Sequence, residues 1–318
     1  DPILSFLRVP EEVWGGMREY LLIIFAGLLA TSLYNFFSCL LRALGNSTVP
    51  LVFLAVSAIL NIAWDLLFVA VFHWGIAGAA YATIFAQYVS GIGILLYVLF
   101  RCRSLFPERK DLCFDGGILK EIAGLSSLTC LQQSVMNFGI LMVQGLVNSF
   151  GATTMAAFAA AVKIDTFAYL PVQDFGNAYS TFIAQNYGAG NKERIRRGTK
   201  ESFAISTAFS LVISALVFAF AAPLMQIFVS SAETAVIASG VRYLRIEGAF
   251  YFGIGCLFLL YGYYRAIKRA EMSVVLTVIS LGIRVLLAYV LSATFLGETG
   301  IWMAIPIGWI LADLTGLL

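Results

Sequence analysis

Long apolar segments, separated by short polar connectors, make up most of the chain. Each segment has about 20 residues or more, the length that an α-helix needs to cross the hydrocarbon core of a bilayer. No ten-residue stretches of alternating apolar and polar positions occur, which excludes a membrane β-barrel. We therefore predict an all-α, polytopic membrane protein with about nine transmembrane helices. The predicted helices cover residues 17–41, 50–73, 76–100, 122–150, 155–187, 202–229, 235–263, 272–295 and 300–318.

The composition supports a membrane environment and weighs against an enzyme. Hydrophobic residues make up 60% of the 318 residues and charged residues 12%, whereas soluble domains have about 25% charged residues. The five cysteines show no CxxC spacing and His73 is the only histidine, so we predict no transition-metal site. No Walker motif or nucleophile–base pair is present. We expect no cofactor other than Na⁺ or H⁺ as a coupling ion.

Basic residues alternate between successive connectors. The first, third, fifth and seventh connectors contain or adjoin Lys and Arg: Arg42; Arg101, Arg103, Arg109, Lys110 and Lys120; Lys192, Arg194, Arg196, Arg197 and Lys200; and Arg265, Lys268 and Arg269. The four connectors between them, HWG, SFGATT, SSAET and LGETG, have none. By the positive-inside rule, the odd-numbered connectors are cytoplasmic. This topology accounts for the basic clusters without a nucleic-acid partner.

An internal repeat relates the first three predicted helices to the last three. Tyr20-Leu21-Leu22-Ile23 aligns with Tyr243-Leu244-Arg245-Ile246, and at the same offset Arg42-Ala43 aligns with Arg265-Ala266. Both Arg-Ala turns fall on the predicted cytoplasmic side, so the repeats run in the same direction across the membrane. Two such halves around a central cavity are typical of transporters. With this arrangement, we expect three further helices before residue 1.

The second and third apolar segments each contain two polar residues spaced four apart: Asn61 and Asp65, and Thr83 and Gln87. An ionisable residue in a bilayer is costly unless it is paired or solvated. Asn61 and Asp65 are four residues apart and share one helix face. Carboxylate, amide and hydroxyl oxygens can bind Na⁺, and a buried carboxylate can carry a proton. The alternative is an aspartate held by neighbouring donors for packing alone.

A second set of polar residues lies in the later segments: Gln132, Gln133, Lys163, Asp165, Glu247 and Arg284. Lys163 and Asp165 are two residues apart, so they point to different faces of their helix and we expect them to pair with other helices. Pairing of Lys163 or Arg284 with an acidic partner would serve structure, substrate binding or ion coupling equally well. In the same helix, Pro171 predicts a kink.

Several stretches resemble the MATE family, the multidrug and toxic compound extrusion transporters. They are LRALGNSTVPLVFLAVSAILNIAWDLLF, GIAGAAYATIFAQ, AAAVKIDTFAYLPVQDFGNAYSTFIAQNYGAGNKERIRRG and YLRIEGAFYFGIGCLFLLYGYYRA. The family has twelve helices in two lobes, and the resemblance implies that this chain holds helices four to twelve. Residues 1–101 would then be the remainder of the amino lobe, residues 102–121 a cytoplasmic linker, and residues 122–318 the carboxyl lobe with its last helix clipped.

The resemblance also implies coupling of export to Na⁺ or H⁺ entry. Asn61, Asp65 and Thr83 match a cation site of several members, whose remaining aspartate would lie before residue 1. Other members use acidic residues on the seventh and tenth helices. Here Gln133 or Ser134 and Ile254 fall at those positions, which argues against a carboxyl-lobe site of that kind.

We therefore predict a secondary antiporter that exports drugs or other organic cations in exchange for Na⁺ or H⁺ by alternating access. We expect a monomer in the cell membrane, a bacterial plasma membrane, whose partners are the lipid bilayer and small cationic or amphiphilic substrates. The nearest alternative is a flippase for lipid-linked sugars or other amphiphiles, which would need a more cationic groove. A non-transporting membrane scaffold or receptor would need no buried polar set.

Overall fold

The computed structural model describes residues 11–103 and 114–318, and all regular structure within these ranges is helical. The helices are α1 (Glu11–Ala26), α2 (Leu28–Ala43), α3 (Thr48–Asp65), a π-helical turn (Leu66–Val71), α4 (Gly75–Arg101), α5 (Gly116–Asn148), α6 (Ala152–Gly188), α7 (Lys192–Phe228), α8 (Thr234–Gly248), α9 (Tyr251–Ala266), α10 (Ala270–Ser292) and α11 (Glu298–Leu317). Residues 1–10 of the predicted amino-lobe remainder lie outside the described residues, as do residues 104–113 of the predicted linker with Arg109 and Lys110.

Nine spans of sufficient length and apolar character occur within the described ranges. Eight are single or continuous segments, and the first of these, Trp14–Ala43, combines α1 with α2. The ninth is the pair α8 and α9, which meet at an angle of 52°. The prediction of an all-α polytopic membrane protein with about nine transmembrane helices is confirmed, although the seventh predicted helix is broken near its middle.

The internal repeat extends to the ends of the helices and to the break between them. The pair α1 and α2 covers Glu11–Ala43, and the pair α8 and α9 covers Thr234–Ala266, so both ends are displaced by 223 residues. The first pair is interrupted at Gly27, and Phe250 at the same offset lies in the second interruption. The same sequence offset that aligns the Tyr-Leu and Arg-Ala motifs therefore also aligns the discontinuities.

The two helices that contain an internal proline differ in their backbone geometry. The backbone of α6 stays helical from Ala152 to Gly188 through Pro171, so this proline does not interrupt the helix. In α7, by contrast, Phe220 has non-helical dihedral angles (φ −105°, ψ 17°), three residues before Pro223. A proline disrupts the hydrogen bonding of the preceding turn, and Phe220 lies in that turn.

The chain divides into two compact units, Asp1–Phe114 and Asp115–Leu318. In the first, α4 packs against α1, α2 and α3. Two tyrosine hydroxyls help to join the helices, since Tyr88 donates to the carbonyl of Ala26 (3.0 Å) and Tyr34 donates to the carbonyl of Pro50 (2.9 Å). The bond to Ala26 satisfies a carbonyl at the end of α1, where the backbone carbonyls have no partner within their own helix.

The second unit is built around α6, which contacts α7, α8 and α9, while α10 packs against α5 and α11. Its core includes a stack of three aromatic rings. Phe158 lies parallel to the ring of Trp302 at a centroid distance of 5.5 Å, and Tyr243 meets Trp302 edge-on at 4.9 Å. These offset and edge-on arrangements are the ones that aromatic pairs prefer.

Small residues allow α6 and α9 to approach closely, as is usual for helices that associate in lipid. A Cβ atom at Gly176 would lie 2.9 Å from the carbonyl oxygen of Phe258, and one at Gly262 would lie 2.6 Å from the carbonyl oxygen of Gly176. Because both obstacles are backbone atoms, a larger residue at either position must push the helices apart.

We expect Gly262→Ala to destabilise the second unit by roughly 1–3 kcal/mol, the usual cost of overpacking. The measurement is the thermal unfolding midpoint of purified protein in detergent. Gly145→Ala is the matched control, because a Cβ at Gly145 meets no atom within 4 Å, and a helical glycine replaced in open space should not lose stability. Equal midpoints for Gly262→Ala and wild type would contradict the close approach.

Candidate functional site

In the first unit, Asn61 and Asp65 lie at the carboxyl end of α3. Asp65 is the last α-helical residue, and the π-helical turn Leu66–Val71 follows immediately. Both side chains are half-buried. A π-helical turn shifts the backbone hydrogen-bond register and occurs frequently at functional sites. Asp65, the ionisable residue of this span, therefore lies directly beside the part of the span that is not α-helical.

Two contacts fix α3 against α4 beside these residues. The hydroxyl of Ser57 donates to the carbonyl oxygen of Ala86 (3.0 Å), and the rings of Trp64 and Phe85 are in edge contact at 5.7 Å. The two helices run in opposite directions. Asn61, one turn beyond Ser57, and Thr83, one turn before Ala86, therefore lie at about the same level.

Asn61, Asp65 and Thr83 are not joined directly by a hydrogen bond or an ion pair in the described part of the chain. The hydroxyl of Thr83 donates to the carbonyl of Ala79 in its own helix (3.0 Å). The amide nitrogen of Asn61 is buried and has no hydrogen-bond partner among the described residues. The predicted trio is thus placed on two packed helices, and one of its members has a buried polar group without a partner.

Gln87, one turn beyond Thr83, has a separate role in the packing. Its side-chain carbonyl oxygen accepts a hydrogen bond from the hydroxyl of Thr31 in α2 (2.9 Å). The same oxygen would lie 2.9 Å from a Cβ at Gly27. Gln87 therefore faces the interruption between α1 and α2, and glycine at position 27 leaves room for it.

The second unit contains a buried ionisable cluster near the break between α8 and α9. Asp165 of α6 is 7% exposed and Glu247, at the end of α8, is 6% exposed. The hydroxyl of Tyr251, the first residue of α9, donates to Asp165 Oδ1. Asp165 and Glu247 also lie close enough to interact electrostatically with each other, with Tyr243 and with Arg284 of α10.

The cluster is incompletely satisfied by its own members. Among the described residues, Asp165 Oδ2, Glu247 Oε2 and Arg284 Nε are buried atoms without a hydrogen-bond partner. Two carboxylates and one guanidinium carry a formal charge of −1 when all three are ionised. Buried charges are tolerated only when they are paired and hydrogen-bonded, so one further positive charge, such as a proton on either carboxylate, would neutralise the cluster.

The other predicted residues of this unit do not join the cluster. Lys163 is exposed, forms no ion pair within the described ranges, and places its ammonium 5.7 Å from the centre of the Phe228 ring. Gln132 is buried and Gln133 is exposed on α5. No hydrogen bond in the described part of the chain links either glutamine to Asp165 or Glu247.

Three residues of this unit were not identified from the sequence. Tyr243 and Tyr251 flank Glu247 at a spacing of four on either side, which in the continuous helix predicted from the sequence would place all three on one side and could have identified them. Asp313 of α11 is 8% exposed, lies beside Cys256 of α9, and has an unpartnered oxygen Oδ1. Asp313 could have been identified from the sequence as the single acidic residue in the last predicted helix, residues 300–318.

We expect Tyr251→Phe to destabilise the second unit by about 1–3 kcal/mol, because it removes the donor to a buried carboxylate. Thermal unfolding in detergent measures the effect. The control is Tyr289→Phe, since Tyr289 is 48% exposed on α10. A Tyr251→Phe midpoint equal to that of the control would show that Asp165 does not depend on this bond.

Comparison with known proteins gives a consistent result. A family model described as MatE matches residues 1–67 and 128–290. The chain is 32% identical over 319 residues to the probable multidrug resistance protein YpnP of Bacillus subtilis (strain 168), covering 99% of this chain and 70% of that protein. It is 28% identical over 307 residues to the probable multidrug resistance protein NorM of Thermotoga maritima, covering 94% of this chain and 65% of that protein.

The fold is likewise similar to a solved structure. The crystal structure of a mutant of VcmN, a MATE transporter from Vibrio cholerae, matches 99% of this chain and 71% of its own length, with a TM-score of 0.92 and 23% sequence identity. The chain thus spans about two thirds of the length of the proteins it matches. Both units contribute to the match, since the family model covers residues of each.

Proposed function

Since the chain belongs to the MatE family, we propose that it exports drugs or other organic cations in exchange for Na⁺ or H⁺. Export would proceed by alternating access, in which ion and substrate bind differently to two conformations. Its relatives are named multidrug resistance proteins, and these names favour drug export over a flippase for lipid-linked sugars. We place the protein in a bacterial plasma membrane because both of these relatives are bacterial.

The observation that carries the proposal is the position of Asp65 in an otherwise apolar span. It is half-buried at the junction of α3 with the π-helical turn, and the unpartnered amide of Asn61 lies one turn away. A carboxylate in such a span destabilises the protein unless it is paired or solvated, so its presence there favours a functional role. We propose that Asp65, Asn61 and Thr83 bind the coupling cation.

The hydrogen bond between Thr83 and Ala79 does not prevent this role, because a hydroxyl that donates to a carbonyl still offers lone pairs to a cation. Asn61 could likewise present its carbonyl oxygen while its amide nitrogen contributes nothing to the cation. Oxygen ligands of this kind suit Na⁺, and a proton on Asp65 would neutralise the same charge.

A second proposal concerns the buried cluster of Asp165, Glu247 and Arg284. Its formal charge of −1 would be balanced by one proton or one Na⁺. The cluster adjoins the break between α8 and α9, where a small change in angle would alter the distances among α6, α8 and α10. Binding and release of a cation there would favour different angles, which is the requirement for coupling.

Asp65→Asn should abolish the dependence of drug export on an imposed ion gradient, because the amide keeps the side-chain volume but carries no charge. The measurement is ethidium efflux from vesicles with imposed Na⁺ or pH gradients. Asp174→Asn is the control, since Asp174 is exposed on α6. Coupled efflux at the wild-type level, at equal expression, would exclude Asp65 as a coupling residue.

Glu247→Gln should leave the cluster neutral and so reduce the response of export to the ion gradient. The amide preserves the shape of the side chain, and loss of a buried like-charge pair should not lower the unfolding midpoint. Glu201→Gln on the exposed face of α7 provides the control. If Glu247→Gln keeps a wild-type dependence on Na⁺ and pH, the cluster has a structural role only.

A further inference from the structure

Lys163 is the one basic residue in the middle of α6, and its surroundings do not neutralise it. It lies eleven residues after Ala152, the first residue of the helix, which corresponds to about 16 Å along the axis. The ammonium lies over the Phe228 ring at 5.7 Å, and no carboxylate forms an ion pair with it within residues 11–103 and 114–318. A cation–π contact offsets only part of the cost of an ammonium in a membrane.

Lys163 lines a cleft of about 550 Å³ that is formed by α6, the end of α7 and the start of α8. The space arises because α6 lines much of the cleft with alanines, at Ala152, Ala156, Ala159 and Ala160. The polar groups Thr153, Ser230 and Glu233 belong to the ends of the helices. Lys163 is therefore the polar group farthest from those ends and defines the inner end of the cleft.

An apolar groove of about 420 Å³ lies beside this cleft, between α6 and α7. Its lining is entirely aliphatic and aromatic, and includes Ile164, Phe167, Leu216 and Phe220. Phe228 lines both the cleft and the groove. The Phe228 ring therefore contacts the Lys163 ammonium and also forms part of the apolar groove.

The geometry points to a binding site for an amphiphile with an anionic head, a carboxylate or a phosphate, which pairs with Lys163 while its hydrocarbon tail occupies the apolar groove. The inference rests on the proposed function, because it adds anionic amphiphiles to the substrates of the exporter. Glu233 does not contradict it. This residue is exposed at the start of α8, so solvent screens its charge, and the helix N-terminus offsets it further.

The test uses two ligands with the same tail and opposite heads, dodecyl phosphate and dodecyltrimethylammonium. Their binding to the purified protein in a neutral maltoside detergent is measured by native mass spectrometry. We expect the wild type to bind the phosphate at least about tenfold more tightly than the ammonium compound, and Lys163→Gln to lose at least about tenfold in affinity for the phosphate, as for a lost charge-assisted hydrogen bond.

Two further variants test whether the space in the cleft matters and whether the effect of charge is specific to Lys163. Ala156→Phe fills the cleft without changing charge and should weaken binding of the phosphate as well. Lys200→Gln is the matched control, because Lys200 lies on α7 away from the cleft, and it should bind both ligands as the wild type does.

Equal binding of the two ligands by the wild type, preference for the ammonium compound, or unchanged affinity in Lys163→Gln would each overturn the proposal. Ethidium export by the wild-type protein is measured separately. If that export is absent while phosphate binding depends on Lys163, the proposed function fails and the site remains. If ethidium is exported and the phosphate does not bind, the site alone is wrong.

Discussion

The interior of a bilayer offers no water to hydrogen-bond a polar group, and this constraint shapes the whole molecule. Backbone N–H and C=O groups must be satisfied within each segment, which favours helices. Where a helix pair is interrupted, side chains supply further hydrogen bonds. Tyr88 donates to the carbonyl of Ala26 beside the first interruption, and Tyr251 begins α9 and donates to Asp165 beside the second. Polar side chains therefore lie beside both interruptions.

The two units show related solutions to the same problem. Each has a helix pair interrupted at an equivalent position, Gly27 in one and Phe250 in the other. In each, the last helix directs a polar residue toward the interrupted pair. Gln87 of α4 faces Gly27, and Asp313 of α11 lies beside Gly253 of α9. The second unit, however, has ionisable residues beside its break, Asp165, Glu247 and Asp313, whereas the uncharged Gln87 faces Gly27 in the first.

Ionisable residues in the described spans adopt three different environments, and these suggest different roles. Asp65 is half-buried at a π-helical turn. Asp165 and Glu247 are buried together with a single guanidinium nearby. Lys163 is exposed in a cleft with an aromatic ring beneath it. The first two environments suit a small cation, since both contain carboxylate oxygens, and one oxygen each of Asp165 and Glu247 lacks a partner. The third has the volume and the apolar surroundings that suit a larger anionic ligand.

The sequence alone determined that the chain is a helical membrane protein, how many spans it has and which residues repeat, because length and apolar character decide whether a helix can cross lipid. It also singled out Asp65, Asp165 and Glu247, since charges stand out in apolar segments. It could not determine that Asp165 meets Tyr251 and Glu247 while Lys163 does not, although Lys163 and Asp165 are only two residues apart. Nor did it reveal that the seventh span breaks at Phe250 and that α6 continues through Pro171. Those outcomes depend on which helix packs on each face, and only the tertiary structure decided them.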